Sequence, residues 1–154
     1  AAINFHPGPP EYPGSGCLNF ALYDNSKEYG VTVHLMDDKV DNGKIIECSR
    51  FLISDDDNVD SLLKKTHSEL FKLFQRISKG LFLGKDNFLN KKLDSKKNEK
   101  WQGSVRKLSE LNAFEFVDDE IAKDELTRRI RAFHTDSYPL KIKLYNHIFY
   151  LKNK

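Results

Sequence analysis

The sequence predicts an α/β protein in which a larger N-terminal unit is followed by a small α+β unit. Three observations support this fold class. Two strand-like segments, 31–37 and 44–53, flank a turn, and a helical hydrophobic repeat runs from Asn58 to about Lys79. An alternating apolar segment then ends the chain. We therefore divide the chain into a unit at 1–80, a basic linker at 81–100 and a small C-terminal domain at 101–154.

The first half begins with a strand at 1–5, which we expect to lie in a parallel sheet. A proline- and glycine-rich loop, 7–16, follows, and "GCLNFALYDNS" is typical of a short helix. "VTVHLMD" and "KIIECSRFLI" predict a hairpin with a tight turn about Asn42-Gly43, because Asn-Gly favours two-residue hairpin turns.

The long helix has a predicted N-cap at Asn58 and a predicted end at Gly80. Residues 84–100 are rich in Lys, Asn and Asp and show no period, which favours a surface loop. Beyond Trp101 we expect a helix from Glu120 to Phe133 and a terminal hairpin about Asn146.

The composition of the chain limits the classes of function that it could have. The 154 residues carry a net charge of +2, which gives no global attraction to nucleic acid or membranes. Residues 85–107 are the exception, with eight Lys/Arg against three Asp/Glu. No apolar run approaches the length of a membrane span. Two cysteines are too few for a disulfide framework, so we expect reduced thiols in a cytoplasmic protein.

Two polar side chains at the start of the chain suggest a site. Asn4 and His6 are two residues apart on the predicted strand, so they share one face. The loop that follows contains four prolines and three glycines, which restrict the backbone and allow close approach. The alternative is an ordinary turn without a functional site, with Asn4 as a capping residue and His6 on the surface. Asp41, at the head of the hairpin, adds a carboxylate about 35 residues downstream.

Together these elements resemble the folate-dependent formyltransferase family, which includes glycinamide ribonucleotide, methionyl-tRNA and sugar N-formyltransferases. The resemblance rests on "NFHP", "GVTVHLM" and "VDNGKII", in that order and spacing. Gly8 stands where the family usually has Ser, and this variant looks closest to the methionyl-tRNA-formyltransferase-like and amino-sugar N-formyltransferase branch. The fold implied is the C-terminal part of a formyltransferase-type doubly wound sheet with a hairpin.

The resemblance implies roles for individual residues. The catalytic residues would be Asn4, His6 and Asp41, which we call the triad. Asn4 would donate to the oxyanion of a tetrahedral intermediate, His6 would carry a proton, and Asp41 would orient His6. Formyltetrahydrofolate is the implied co-substrate, with no metal. Its implied contacts are Asp37, Val40 and Asp41, and the implied acceptor contacts are Gly8, Pro9, Pro10, Tyr12, Gly14 and Ser15.

His34, on the strand before the hairpin, could face the site, but we favour the interpretation that it supports the loop. "KWQGSVRKLSELNAF" and "DELTRRIRAF" resemble the C-terminal domain of the same branch. Arg128, Arg129 and Arg131 could contact a phosphate or RNA, although solvation or pairing with Glu120, Asp124 and Glu125 is the commoner role of such a face.

The family's catalytic strand lies in mid-domain, so we expect this chain to lack an N-terminal folate-binding half and to be inactive alone. The predicted activity is formyl transfer to a primary amine, with a nucleotide-linked amino sugar as acceptor. A formyltetrahydrofolate deformylase, a methionyl-tRNA formyltransferase and a non-catalytic binding remnant remain alternatives. Nucleic acid is not the expected partner, tRNA stays open, and a homodimer is an open alternative.

Overall fold

The computed structural model describes residues 2–84 and 87–152. Parts of three predicted segments lie outside these residues, namely Ala1 in the first strand, 85–86 in the linker and 153–154 in the C-terminal domain. The helices and strands in chain order are β1 (Ile3–His6), α1 (Cys17–Tyr23), β2 (Glu28–Leu35), β3 (Ile45–Leu52), α2 (Val59–Leu83), α3 (Phe88–Ser95), α4 (Leu108–Asn112), β4 (Phe116–Val117), α5 (Lys123–Phe133), β5 (Lys141–Leu144) and β6 (His147–Tyr150). The predicted mixed α/β class is confirmed.

The first sheet has the order β1-β2-β3, and both of its pairings are antiparallel. The predicted β2–β3 hairpin is confirmed, whereas the prediction that the first strand lies parallel is wrong for its pairing with β2. The predicted tight turn is also wrong. Residues 36–44 form a longer loop, in which Asp41 rather than Gly43 has a positive φ, 45°. Asp41 is buried although most of this loop is exposed.

Helix α2 begins as predicted, because the Asn58 side chain accepts from the Ser61 amide in a capping box. It does not end at Gly80. A Cβ at Gly80 would lie 2.2 Å from Phe88 Cζ, so the glycine makes room for an aromatic ring from the next helix. That helix, α3, falls within 84–100, where we expected a loop. The expectation was wrong because tertiary contacts stabilise this segment: Leu89 and Leu93 pack against the core of β2, β3 and α2.

The second sheet joins β4 and β5 in parallel and β5 and β6 antiparallel. The terminal hairpin about Asn146 is confirmed, while β4 was not predicted. Helix α5 begins at Lys123 rather than at Glu120. Its Ala132 is fully buried in the same hydrophobic cluster as Leu18 and Leu22 of α1. The C-terminal elements therefore pack on the first half of the chain.

Candidate active site

The register of β1 on β2 brings Asn4 and His6 to one surface. Asn4 lies opposite His34 and His6 lies opposite Thr32, so His34 shares the face of both predicted residues. Asn4 Nδ2 lies 3.2 Å from His34 Nε2. The predicted shared face is therefore present, with a second histidine on it.

Asp41 approaches this face from the loop at 36–44 and lies between the two histidines. Its Oδ2 is 3.2 Å from His6 Nδ1, and its Oδ1 is 3.4 Å from His34 Nε2. The backbone amide of Gly14 donates to Oδ2 at 2.8 Å. We call His6, His34 and Asp41 the His–Asp cluster. All three residues are buried, with 4%, 2% and 7% of their surface exposed.

The Nδ1 atom of His34 lies 2.8 Å from the Leu35 carbonyl oxygen, which can only accept, so Nδ1 carries a proton. The Nε2 atom faces two groups, the Asn4 amide nitrogen at 3.2 Å and Asp41 Oδ1 at 3.4 Å. Without a proton Nε2 accepts from Asn4, and with a proton it donates to Asp41. In the first state His34 orients the Asn4 amide through one N–H, and the second N–H of Asn4 has no partner within 2–84 and 87–152.

His6 has an acceptor at each ring nitrogen. Nδ1 faces the Asp41 carboxylate, and Nε2 lies 3.1 Å from the Tyr12 carbonyl oxygen. A neutral ring can donate to one of these acceptors, and an imidazolium can donate to both. Burial lowers the pKa of His6, and the nearby Asp41 charge and the Tyr12 carbonyl oppose that effect. The site therefore gives both protonation states of His6 a partner.

Asp41 is held in its ionised form. Burial by itself raises the pKa of Asp41, but hydrogen bonds from His34 and the Gly14 amide and the charge of His6 lower it overall. A carboxylate that stays charged beside His6 can stabilise the imidazolium. The local charge pattern is that of a proton-carrying histidine with a carboxylate behind it.

The loop at 7–16 supports the site mainly through its backbone. Pro9 and Pro10 are fully buried, and the Tyr12 hydroxyl points away to Asp24 and Ser26. The Ser15 amide donates to the Arg106 carbonyl at 3.0 Å. These predicted acceptor contacts therefore lie around the site, with the Tyr12 carbonyl and the Gly14 amide as its nearest atoms.

Gly8 lies directly beneath the His6 ring. A Cβ at this position would lie 2.6 Å from His6 Nε2 and 3.0 Å from Cys17 Cβ. A serine here would therefore have to displace the imidazole. The glycine at this position and the orientation of His6 depend on each other.

The predicted folate contacts lie on the loop at 36–44. Asp37 is exposed and accepts from the Lys39 amide and the Asn42 side chain, both at 2.9 Å. Val40 is 64% exposed and Met36 is 57% exposed, on the same loop that carries the buried Asp41. An exposed apolar surface thus adjoins a buried carboxylate.

Two residues of the site were not identified from the sequence. We interpreted His34 as a support for the loop, yet it contacts both Asn4 and Asp41. Trp101 packs edge-on against both histidine rings, although it lies 67 or more positions away in the sequence. The alternation of β2 could have indicated His34, since it is two residues from Thr32. No local pattern marks Trp101.

A cleft of about 1140 Å³ lies elsewhere, between α1, α2 and the C-terminal elements. Leu18, Val59 and Tyr138 are among the residues that line it, whereas the triad residues are not. Within 2–84 and 87–152, no group of three or more His, Cys, Asp or Glu residues is arranged to hold a metal ion. In the same ranges no helix is both long and apolar enough to cross a membrane.

The sequence matches known proteins in its first half most strongly. A family model described as formyl transferase matches residues 1–77. The trifunctional purine biosynthetic protein adenosine-3 of Drosophila melanogaster is 40% identical over 75 residues, which is 48% of this chain and 6% of that protein. The methionyl-tRNA formyltransferase of Thermodesulfovibrio yellowstonii is 30% identical over 141 residues, which is 79% of this chain and 45% of that protein.

A solved structure extends the likeness of fold to nearly the whole chain. The N-formyltransferase from Helicobacter canadensis, in complex with folinic acid and dTDP-3-aminofucose, superposes with a TM-score of 0.67 at 23% identity. The match covers 94% of this chain and 51% of that one. The chain spans less than half of the length of these two curated relatives.

Proposed function

The chain belongs to the formyl transferase family, and we propose that it carries the transfer site of a cytoplasmic enzyme. The enzyme moves a formyl group from formyltetrahydrofolate to a primary amine of a small acceptor, a nucleotide-linked amino sugar. One arrangement carries this proposal: Asn4 and His6 share a face, His6 lies directly against the Asp41 carboxylate, and Asn4 is linked to that carboxylate through His34.

The reaction needs one nucleophilic attack and one proton transfer. The amine nitrogen bonds to the formyl carbon and the carbonyl oxygen becomes an oxyanion. The bond between that carbon and the folate nitrogen then breaks, and the electron pair leaves with the folate nitrogen. The proton lost by the amine ends on the folate nitrogen, so neither an oxidant nor a covalent enzyme intermediate is required.

Asn4 is suited to the oxyanion. An unprotonated His34 Nε2 holds one Nδ2–H of Asn4. The second N–H has no partner among the residues that the structure describes, and it can donate to the oxygen that gains charge. A preorganised donor of this kind lowers the barrier because it need not reorient during the reaction.

His6 is suited to the proton transfer. It accepts a proton from the attacking amine as a neutral ring, and Asp41 stabilises the imidazolium that results. Its Nε2 is occupied by the Tyr12 carbonyl, so the loop at 7–16 has to release this nitrogen when the acceptor binds. Gly8, Pro9, Pro10, Tyr12, Gly14 and Ser15 are accordingly the proposed acceptor side of the site.

The loop at 36–44 is the proposed folate side. Met36 and Val40 offer an apolar surface to a pterin ring, and Asp37 and Asp41 offer carboxylates to its ring nitrogens. The related Helicobacter canadensis protein was solved with a folate and a nucleotide-linked amino sugar. This pairing of ligands supports the proposed substrate classes.

The acceptor could instead be a methionyl-tRNA, because a methionyl-tRNA formyltransferase matches this chain over 79% of its length. The arginines of α5 favour the small acceptor. Arg128 and Arg131 donate to backbone carbonyls within the chain, so their donors are not directed to an RNA backbone.

The test is a formyl-transfer assay of the full-length protein with formyltetrahydrofolate and a panel of nucleotide-linked amino sugars, with charged methionyl-tRNA and no acceptor as parallel arms. Turnover that depends on one of the sugars supports the proposal. Equal turnover without an acceptor would identify a deformylase, turnover only with tRNA would identify the second candidate, and no turnover in any arm would favour a binding protein.

A further inference from the structure

A short segment from the predicted C-terminal domain lies against the His–Asp cluster. We call residues 101–106 the strap. The Trp101 ring centroid is 4.9 Å from that of His34, at 82°, and 5.5 Å from that of His6, at 75°. Its Nε1 donates to the Gly43 carbonyl at 2.8 Å, on the loop that carries Asp41. One side chain thus contacts both histidines and the loop of the carboxylate.

The backbone of the strap pairs with the loop at 7–16. The Gln102 amide donates to the Pro10 carbonyl at 2.8 Å, and the Arg106 amide donates to the Pro13 carbonyl at 3.1 Å. Gly14 forms a parallel bridge with Arg106. Gly14 has a φ of 89°, and a Cβ there would lie 2.3 Å from the Arg106 carbonyl oxygen. Only a glycine permits this approach.

This pairing reaches the carboxylate directly, because the Gly14 amide is the group that donates to Asp41 Oδ2. The far end of the strap is anchored as well. The Arg106 guanidinium lies 3.9 Å from the Phe20 ring centroid of α1 and forms an ion pair with Glu110. The strap therefore contacts the histidines at its first residue, Trp101, and is anchored at its last residue, Arg106.

We propose that the strap completes the transfer site, with Trp101 as a positioning residue that holds His6 and His34 and keeps water from them. This inference rests on the proposed function. Trp101 touches no reacting atom, and it acts through the two imidazoles. The predicted C-terminal domain then contributes to the chemistry of the first half of the chain, although the sequence of that domain does not suggest such a role.

If Trp101 keeps water from His6, its removal should shift the pKa of His6 in a definite direction. The groups that face His6 are the Asp41 carboxylate from the loop at 36–44, His34 from β2 and the Tyr12 carbonyl from the loop at 7–16. Trp101 adds no charge but removes water from this set. Loss of the indole admits water, so the pKa of His6 rises toward its ordinary value, and activity that requires neutral His6 is lost at a higher pH.

The experiment compares Trp101→Ala and Trp101→Phe with the control Asn98→Ala in the full-length protein. Asn98 is exposed and lies outside the strap and the site. The pKa of His6 is measured by histidine-selective NMR, and kcat is measured as a function of pH. Trp101→Ala should lower kcat about tenfold to a hundredfold and move the acid limb to higher pH. Trp101→Phe should give a smaller shift in the same direction, and Asn98→Ala should give none.

The two readouts separate the strap from the proposed function. An unchanged His6 pKa and acid limb in folded Trp101→Ala would overturn the role of the strap and leave the transferase assignment intact. A raised pKa in a protein without transferase activity would support the strap and count against that assignment. If Trp101→Ala does not fold, Trp101→Phe decides, and an unshifted pKa in that variant overturns the inference.

Discussion

Two groups of polar residues stand out in the structure, the His–Asp cluster with Asn4 and the arginines of α5. Both contain several charged or ionisable side chains within a short distance, and both could be assigned to ligand binding. Their partners differ. The side chains of the cluster contact one another as well as nearby backbone atoms. Each arginine instead donates to a backbone carbonyl of a neighbouring element, and Arg128 and Arg129 also pair with Glu125 of their own helix.

The arginines act as clamps between elements. Arg128 donates to the Tyr23 carbonyl at the end of α1, at 2.8 and 3.1 Å. Arg131 donates to the Asp57 carbonyl at 2.8 Å and to the Ser54 carbonyl at 3.0 Å, just before α2. The Arg128 guanidinium thus satisfies a carbonyl that the C-terminal end of α1 leaves without an intrahelical partner, whereas Arg131 ties α5 to the segment before α2. These donors stabilise the packing of α5.

The cluster has a surplus of acceptors around a group that can gain a proton. Two acceptors face His6, and a neutral ring satisfies only one of them. An arginine stays charged in every state, while the protonation state of His6 can change with its surroundings. Residues near each other in sequence can therefore be structural, and residues far apart can form a reactive site. Substitutions in each group test this difference.

The largest effect is expected from the triad. Asn4→Ala and His6→Ala should each lower kcat at least about a hundredfold, with a smaller effect on folate binding, because in the proposed mechanism both residues act on the transition state. His67→Ala, an exposed histidine of α2, is the control and should leave kcat unchanged. Steady-state formyl transfer in the full-length protein measures all three. Near-normal kcat in either triad variant would remove that residue from the mechanism.

Asp41→Asn tests the charge behind His6 while it keeps the shape of the side chain. The carboxylate raises the pKa of His6, so its loss should lower that pKa and move the acid limb of kcat to lower pH. This shift is opposite in sign to the one expected for Trp101→Ala. Asp38→Asn, on the exposed part of the same loop, is the control. An unmoved acid limb in Asp41→Asn would leave Asp41 as a turn residue only.

Local signals predicted much of the fold, and long-range contacts account for what was missed. The hairpin and the Asn58 cap follow from patterns within a few residues. We predicted a helix end at Gly80, and this was wrong. The glycine is needed because the Phe88 ring fills the space of a Cβ, and that contact cannot be seen in the local sequence. The loop at 36–44 departs from the Asn-Gly expectation because Asp41 turns inward to the histidines.

The same distinction applies to the site. Asn4 and His6 are linked by strand geometry, so their shared face could be predicted. His34 joins them through the register of β1 on β2, which no single segment specifies. Trp101 joins them through the pairing of the strap with the loop at 7–16, and that pairing depends on Gly14. Contacts formed by tertiary structure were therefore the ones that sequence patterns did not indicate.

A smaller effect, on stability rather than on kcat, is expected from the arginine clamps. Arg131→Ala removes donors to two carbonyls and should lower the free energy of unfolding by about 1–3 kcal/mol. Arg131→Lys should recover little of this loss, since an ammonium lacks the fork that spans both carbonyls. Denaturant unfolding measures the stability, and kcat should stay near normal. A large rise in acceptor KM with unchanged stability would instead place Arg131 in a binding surface.

The smallest effect is expected from residues 85–107, which we call the basic segment. Its positive charge is the strongest local charge in the sequence. Lys91, Lys92, Lys96 and Lys97 lie on or just after α3, and Lys92 forms an ion pair with Glu47 while Lys96 pairs with Glu99. The segment offers few aromatic side chains to stack on bases, so we predict a structural role and no acceptor site. Replacement of all four by Ser should leave acceptor KM unaltered.

The single variant Lys92→Ser is the matched control for that replacement. Lys92 is paired with Glu47, which also contacts Arg76, so any loss of stability in the fourfold variant should come mainly from position 92. Acceptor KM is measured for both variants at low and at high ionic strength. An anionic acceptor or tRNA docked on this segment would release counterions, and its binding would weaken steeply with salt. A several-fold, salt-dependent rise in KM in the fourfold variant, absent from Lys92→Ser, would therefore move the basic segment from the structural group to the functional one.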